Sequence, residues 1–192
     1  IRGPAACCGL VGFKPTLGLV PWDAGRDAFG NNVFAGPIAR TVTDAAVMHA
    51  VLTGPSARDP WSLGVEDRRA LSPTLVGNDL SGLRIGYVAR CANPRTAADV
   101  QANTDAMLAA LRDLGADVEE VTDAIDWIEY EGRILYQANF TTFCAPWLPR
   151  WQDAMDPVTI AFMQRGAGFS LVEFRNAQFA RTRLFRAIQD LL

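Results

Sequence analysis

The sequence predicts an α/β fold, and two observations carry that reading. Residues 83–121 run through a strand pattern, an amphipathic helix and a second strand pattern. Such a unit sets two parallel strands side by side with the helix packed on their sheet. Elsewhere, apolar runs of helical length begin at polar caps, at Thr41, Asp156 and Ser170. The chain has 192 residues, 49% of them hydrophobic, which suits one ordinary core or part of a larger one.

Residues 1–40 read as irregular structure with short strands, because Gly3, Pro4, Gly9, Gly12, Pro15, Gly18 and the glycines and prolines after them break any long period. Residues 10–13 suit a short buried strand, and 22–32 a polar loop. Thr41-Val42-Thr43-Asp44 fits a capping box, in which hydroxyl and acid satisfy free backbone N–H groups. The apolar run 45–52 follows, and Gly54-Pro55 stops it. Residues 55–80, rich in Asp, Arg, Ser, Gly and Pro, read as a long surface loop.

Residues 83–88 form the first strand of the β-α-β unit. Over 96–114, Val100, Met107, Leu108, Leu111 and Leu114 keep helical spacing, and Gly115 ends the helix. Residues 117–121 form the second strand. An aromatic-rich helix is predicted over 127–143, interrupted by Pro146 and Pro149. Asp156-Pro157 opens a short helix, and Ser170 with Glu173 caps a last one that runs to Leu192.

The net charge is −3, so nothing favours a nucleic-acid partner. No apolar run has the length of a bilayer span, so no membrane partner is expected. The cysteines, Cys7, Cys8, Cys91 and Cys144, make no C-x-x-C pair. They read as reduced, mostly buried thiols, which suits the cytoplasm. His49 is the only histidine. Inside an apolar helix it reads as packed rather than catalytic, and no metal site is expected.

The five serines, at 56, 62, 72, 81 and 170, include no G-x-S-x-G elbow, and each reads as structural. Lys14 would be a base if buried with a depressed pKa, or else an ordinary paired or outward-reaching cation. Arg2 and Arg40 would bind an anionic substrate or hold loops. Glu119, Glu120, Asp123, Asp126, Glu129 and Glu131 read as a solvated cluster. Trp127, Tyr130, Tyr136, Phe140, Phe143, Trp147 and Trp151 are dense enough to line an apolar pocket or to form core. The residues alone give no catalytic constellation.

Two motifs supply more. I-R-G-P-A-A-C-C-G-L-V-G-F-K-P-T-L-G, residues 1–18, resembles the segment of the amidase signature family that follows its nucleophile: I-R-x-P-A, then C-G, then G-x-K-P-T-x-G. G-P-I-A-R-T-V-T-D-A-A, residues 36–46, resembles that family's G-P-[IM]-A-R-T-V-x-D-A. The strand L-R-I-G-Y-V and the unit L-G-A-D-V-E-E-V follow in the family's order.

The resemblance implies part of an α/β/α sandwich on a mixed β-sheet, truncated at both ends. Residues 1–54 would be the end of the signature core and its first helix, and 55–80 a surface loop. Residues 81–122 would be the β-α-β unit, and 123–192 a helical, pocket-lining region. It also implies an amidase that cleaves a carboxamide C–N bond through a Ser acyl-enzyme, with no metal and no cofactor.

The nucleophilic Ser is expected immediately before Ile1, with a second, cis-peptide Ser and a neutral Lys further upstream, so no catalytic residue is expected in this chain. Arg2, Pro4, Cys8, Gly9, Arg40 and Asp44 would support the site. Arg2 would tie the nucleophile loop to a carboxylate, Cys8, Gly9 and Gly12 would allow tight packing behind it, and Arg40 with Asp44 would form a structural pair. Trp127, Tyr136, Phe140, Phe143 and Trp147, with the loop 21–34, would line the acyl pocket. The expected partners are a small-molecule amide and, as an option left open, a second copy in a homodimer. Two alternatives remain open: the A subunit of a glutamine-dependent tRNA amidotransferase, and a non-catalytic binding module reusing the fold.

Overall fold

A computed structural model describes residues 1–30, 33–64, 77, 79–91, 95–122 and 125–191. The chain divides into two compact units, Ile1–Gly77 and Asn78–Leu192.

The first unit opens with a helix, α1 (Arg2–Cys8), where irregular structure was expected. Pro4 stands in the first turn, where a backbone N–H has no intrahelical acceptor to lose. Ala5 and Ala6 favour the helix. Gly9 ends it at φ 63°, and its N–H returns to the carbonyls of Ala5 and Ala6. That left-handed cap is why the sequence needs glycine there. Strand β1 (Val11–Gly12) pairs antiparallel with β2 (Ile38–Ala39), Val11 opposite Ala39. Helix α2 (Val42–Leu52) follows, and the Thr41 hydroxyl accepts from the Asp44 N–H, the hydroxyl half of the predicted capping box. Ala45, Ala46 and His49 are buried, while Val42, Val47, Met48, Val51 and Leu52 are exposed. The helix is therefore apolar on both sides, with one side uncovered.

The long surface loop expected over 55–80 is mostly exposed in its described part and carries one ordered turn. A 3-10 turn, Pro60–Ser62, is built around two buried polar side chains, Asp59 and Ser62. Each is hydrogen-bonded, Asp59 to the Trp61 and Trp22 N–H groups and Ser62 to the Ser56 and Asp59 backbone, and this makes burial tolerable. Residues 65–76 and 78 of the expected loop lie outside the described residues.

In the second unit, β3 (Arg84–Tyr87) and β4 (Asp117–Glu120) pair in parallel, Ile85 opposite Val118. Helix α3 (Ala98–Asp113) makes the crossover between them. This is the β-α-β unit that the periodicity predicts. Among the described residues the strands make two two-stranded ladders, one antiparallel and one parallel.

Four helices complete this unit: α4 (Glu129–Cys144), α5 (Leu148–Trp151), α6 (Pro157–Ala167) and α7 (Leu171–Gln189). The Asp156 carboxylate accepts from the Val158 and Thr159 N–H groups and starts α6. Both halves of the Ser170–Glu173 capping box are formed at α7. Ile134 and Leu135 of α4 and Ala177 of α7 make a core against which Phe169 and Phe174 pack. Gly166 lets α6 lie directly on α4: a Cβ there would stand 2.5 Å from the Gln137 carbonyl oxygen. Beside it, the Thr141 hydroxyl donates to the Met163 carbonyl at 3.0 Å.

Candidate functional site

The first motif folds into the α1–β1 corner, and small residues hold it together. A Cβ on Gly12 would stand 2.6 Å from the Ala5 Cβ and 3.1 Å from the Ile1 carbonyl oxygen. Gly36, from the second motif, lies against the Phe13 carbonyl, with its Cβ position 2.9 Å from the Ile1 side chain. The two motifs thus meet around Ile1. Gly12 provides the tight packing expected of it. Gly9 does not, since a Cβ there would meet nothing within 4 Å, and its role is the left-handed cap.

Arg2, Pro4 and Cys8 are exposed on α1. Arg2 makes no ion pair with a carboxylate among the described residues, and its charge is felt by Lys14. The Lys14 ammonium donates to the Pro15 carbonyl at 2.6 Å and lies 4.2 Å from the centre of the Phe34 ring. Burial first, and the Arg2 guanidinium second, push its pKa below the ordinary lysine value. It is neither the carboxylate-paired nor the outward cation expected. Arg40 and Asp44 are both exposed at the start of α2 and form no ion pair among the described residues. The Asp44 contribution there is its backbone N–H, donated to Thr41.

His49 is 3% exposed. Its ring stands edge-on to Phe13, centroids 5.0 Å apart, and the Thr53 hydroxyl lies 3.4 Å from Nε2. Burial lowers its pKa. Among the described residues no carboxylate pairs with it, so it is a core histidine. Cys7, Cys8 and Cys91 are exposed and Cys144 is half-buried, all free thiols. The expectation of mostly buried cysteines is therefore corrected: Cys7 and Cys8 are exposed in the last turn of α1, whose one buried residue is Ala5. Among the described residues no cluster of His, Cys, Asp and Glu could hold a metal ion.

The predicted aromatic residues divide. Tyr136 and Phe140 of α4 join Phe162 of α6 in a three-ring cluster, with centroids 5.5–6.2 Å apart. Beside it, Pro157, Val158, Ala161, Phe162 and Arg165 line an open groove of about 320 Å³. Phe162 lies in a short helix with no aromatic neighbours in sequence, so no local density could have marked it. Phe143 and Trp147 are exposed and Trp127 is half-buried, all outside that three-ring cluster.

A family model described as Amidase matches residues 1–145. The chain belongs to the amidase signature family. Among its relatives are an acylamidase of Rhodococcus erythropolis, 35% identical over 122 residues, and the A subunit of the glutamyl-tRNA(Gln) amidotransferase of Staphylococcus saprophyticus, 39% identical over 123 residues. Each alignment covers 64% of this chain and 25% of the relative. The family fold is seen directly in a bacterial aryl acylamidase, with a TM-score of 0.78 at 23% identity over 93% of this chain and 39% of that one. The corresponding amidotransferase protein of Thermotoga maritima gives 0.66 at 23% identity, over 98% of this chain and 41% of that one. This amidase-family chain thus spans about a quarter of its curated relatives and about two fifths of these solved structures. Its described part holds frame and apolar surface, and no nucleophile–base pair.

Proposed function

We propose that the protein to which this chain belongs is an amidase that hydrolyses a small-molecule carboxamide. A Ser directly before Ile1 attacks the carbonyl carbon, the C–N bond breaks, and the amine departs with a proton passed from the Ser through a second Ser and a Lys. Water then cleaves the acyl ester to release the carboxylic acid and restore the Ser. Backbone N–H groups hold the oxyanion, an effect of about 3–4 kcal/mol where one such donor is removed in other hydrolases. The reaction as read here uses neither metal nor cofactor.

The observation that carries this reading is the meeting of both family motifs around Ile1, where Gly12 and Gly36 leave room for close backbone approach. In the second unit, the Tyr136, Phe140 and Phe162 rings offer an apolar surface suited to an acyl or aryl group, with Trp127, Phe143 and Trp147 as further candidates. Arg2, Pro4, Cys8, Gly9, Arg40 and Asp44 are assigned to support. A cytoplasmic location and homodimer formation belong to the same reading. Assaying the native gene product on aliphatic and aryl amides tests it: acid and amine released in equal amounts support it, and no turnover on any amide refutes it.

The 39% identity to the Staphylococcus protein favours a second reading. The protein would then transfer ammonia from glutamine within a multi-subunit complex. Co-purification with partner proteins and glutamine-dependent turnover would select it.

A further inference from the structure

The buried knot around Asp59 reaches well beyond its own turn. Asp59 is 4% exposed, and its two carboxylate oxygens serve its own turn and one distant segment. Oδ1 accepts from the Trp61 N–H at 3.0 Å, and Oδ2 accepts from the Trp22 N–H at 2.9 Å, across 37 positions of sequence. Ser62, fully buried, fixes the turn from inside: its hydroxyl contacts the Asp59 carbonyl at 2.9 Å and the Ser56 carbonyl at 3.1 Å, and accepts from the Ser56 N–H at 2.8 Å.

The same turn grips the preceding loop at further points. The Trp61 indole N–H donates to the Ala28 carbonyl at 2.9 Å, and the Gly54 N–H to the Leu19 carbonyl at 3.1 Å. Gly18, at φ 86°, passes so close to the Trp61 carbonyl that no side chain could stand there. The loop 18–30 is thus held at Gly18, Trp22 and Ala28 from this turn and at Leu19 from Gly54, in addition to its own Phe29 N–H bond to the Asp27 carboxylate. Its large side chains stay outward: Trp22 and Phe29 are exposed.

We infer that Asp59 is a positioning residue for acyl-group selection: through the Trp22 N–H it fixes the loop 21–30, and that loop discriminates between bulky and small acyl groups. The second half rests on the amidase reading proposed above. A loop held by a buried carboxylate keeps its outward aromatic residues in one arrangement. A loop released from it admits several, and a bulky substrate that needs one arrangement suffers more than a small one.

The test uses the native gene product with Asp59→Asn, which keeps one acceptor oxygen, Asp59→Ala, which keeps none, and Trp61→Phe, which removes only the Ala28 bond. Amide hydrogen exchange is followed at Trp22, and kcat and KM are measured on benzamide and acetamide. Exchange at Trp22 should speed up in Asp59→Ala by about tenfold or more. The benzamide-to-acetamide ratio of kcat/KM should shift by about tenfold, chiefly through KM for benzamide. Asp59→Asn should recover part of both effects, and Trp61→Phe should move the ratio in the same direction by less. Unchanged exchange at Trp22 overturns the anchoring. Faster exchange with equal losses on both substrates overturns the selection and leaves Asp59 a stability residue. If the unaltered protein cleaves neither of these, the ratio is taken on a bulky and a small amide that it does cleave; if it cleaves no amide, the selection falls together with the amidase reading, and Trp22 exchange still decides the anchoring.

Discussion

The crossing of α4 and α6 can be probed with one methyl group. In Gly166→Ala, the new Cβ would stand 2.5 Å from the Gln137 carbonyl oxygen and 2.8 Å from its carbon, with the Thr141 hydroxyl closer still. The hydroxyl can rotate away, but the carbonyl belongs to the α4 backbone and cannot. Overpacking of this kind costs about 1–3 kcal/mol, and Ala returns about 1 kcal/mol of helix propensity. The net expectation is a loss of up to about 2 kcal/mol, which lowers Tm by up to roughly 8 °C at this chain length. Gly132→Ala is the internal control. Gly132 also lies within a helix, α4, but a Cβ there meets nothing within 4 Å. It should gain up to about 1 kcal/mol. Thermal melts followed by circular dichroism give both values. If Gly166→Ala raises Tm as Gly132→Ala does, the helices do not touch as described and the reasoning fails.

Further outcomes follow from the same structure. His49 carries a folded-state pKa lowered by burial, so the unfolded chain binds the proton more readily. Stability from this group is present above the ordinary histidine pKa of about 6.5 and is lost as pH falls below it. Urea melts at pH 7 and pH 5 should show that loss, and His49→Phe should flatten it. Asp156→Ala removes the acceptor for the Val158 and Thr159 N–H groups and should cost about 1 kcal/mol, read from the urea midpoint. In the 192-residue chain, a thiol reagent should label Cys7, Cys8 and Cys91 without denaturant and Cys144 more slowly. The same chain should hydrolyse no amide, and the exposed Val42, Val47 and Val51 of α2 should make it associate as concentration rises, detectable by light scattering.

Much of the fold is legible where the signal is local. Caps at Thr41, Asp156 and Ser170 and the period of Val100, Leu108 and Leu111 locate α2, α6, α7 and α3 because each signal lies within a few residues of its effect. Helix α1 is missed because Gly3-Pro4 reads as a breaker, although in a first turn Pro removes a hydrogen bond that would not form. The Asp59–Ser62 knot is missed because Asp, Pro and Ser look alike whether they face water or are buried and hydrogen-bonded. What distinguishes them is Trp22, 37 residues away, and no local pattern reports it. Phe162 joins Tyr136 and Phe140 for the same non-local reason. The motifs around Ile1 are legible as resemblance, and only the packing of Gly12 and Gly36 gives their spacing a physical cause.

The identity of the atom that attacks the amide is open to direct test. The native gene product is treated with a serine-directed fluorophosphonate, and the labelled protein is mapped peptide by peptide. A single modified Ser is expected, joined by its peptide bond to Ile1-Arg2-Gly3-Pro4, with loss of amide hydrolysis in step with labelling. A label on Ser56, Ser62, Ser81 or Ser170, or full inhibition with the residue before Ile1 unmodified, would contradict the proposed acyl-enzyme.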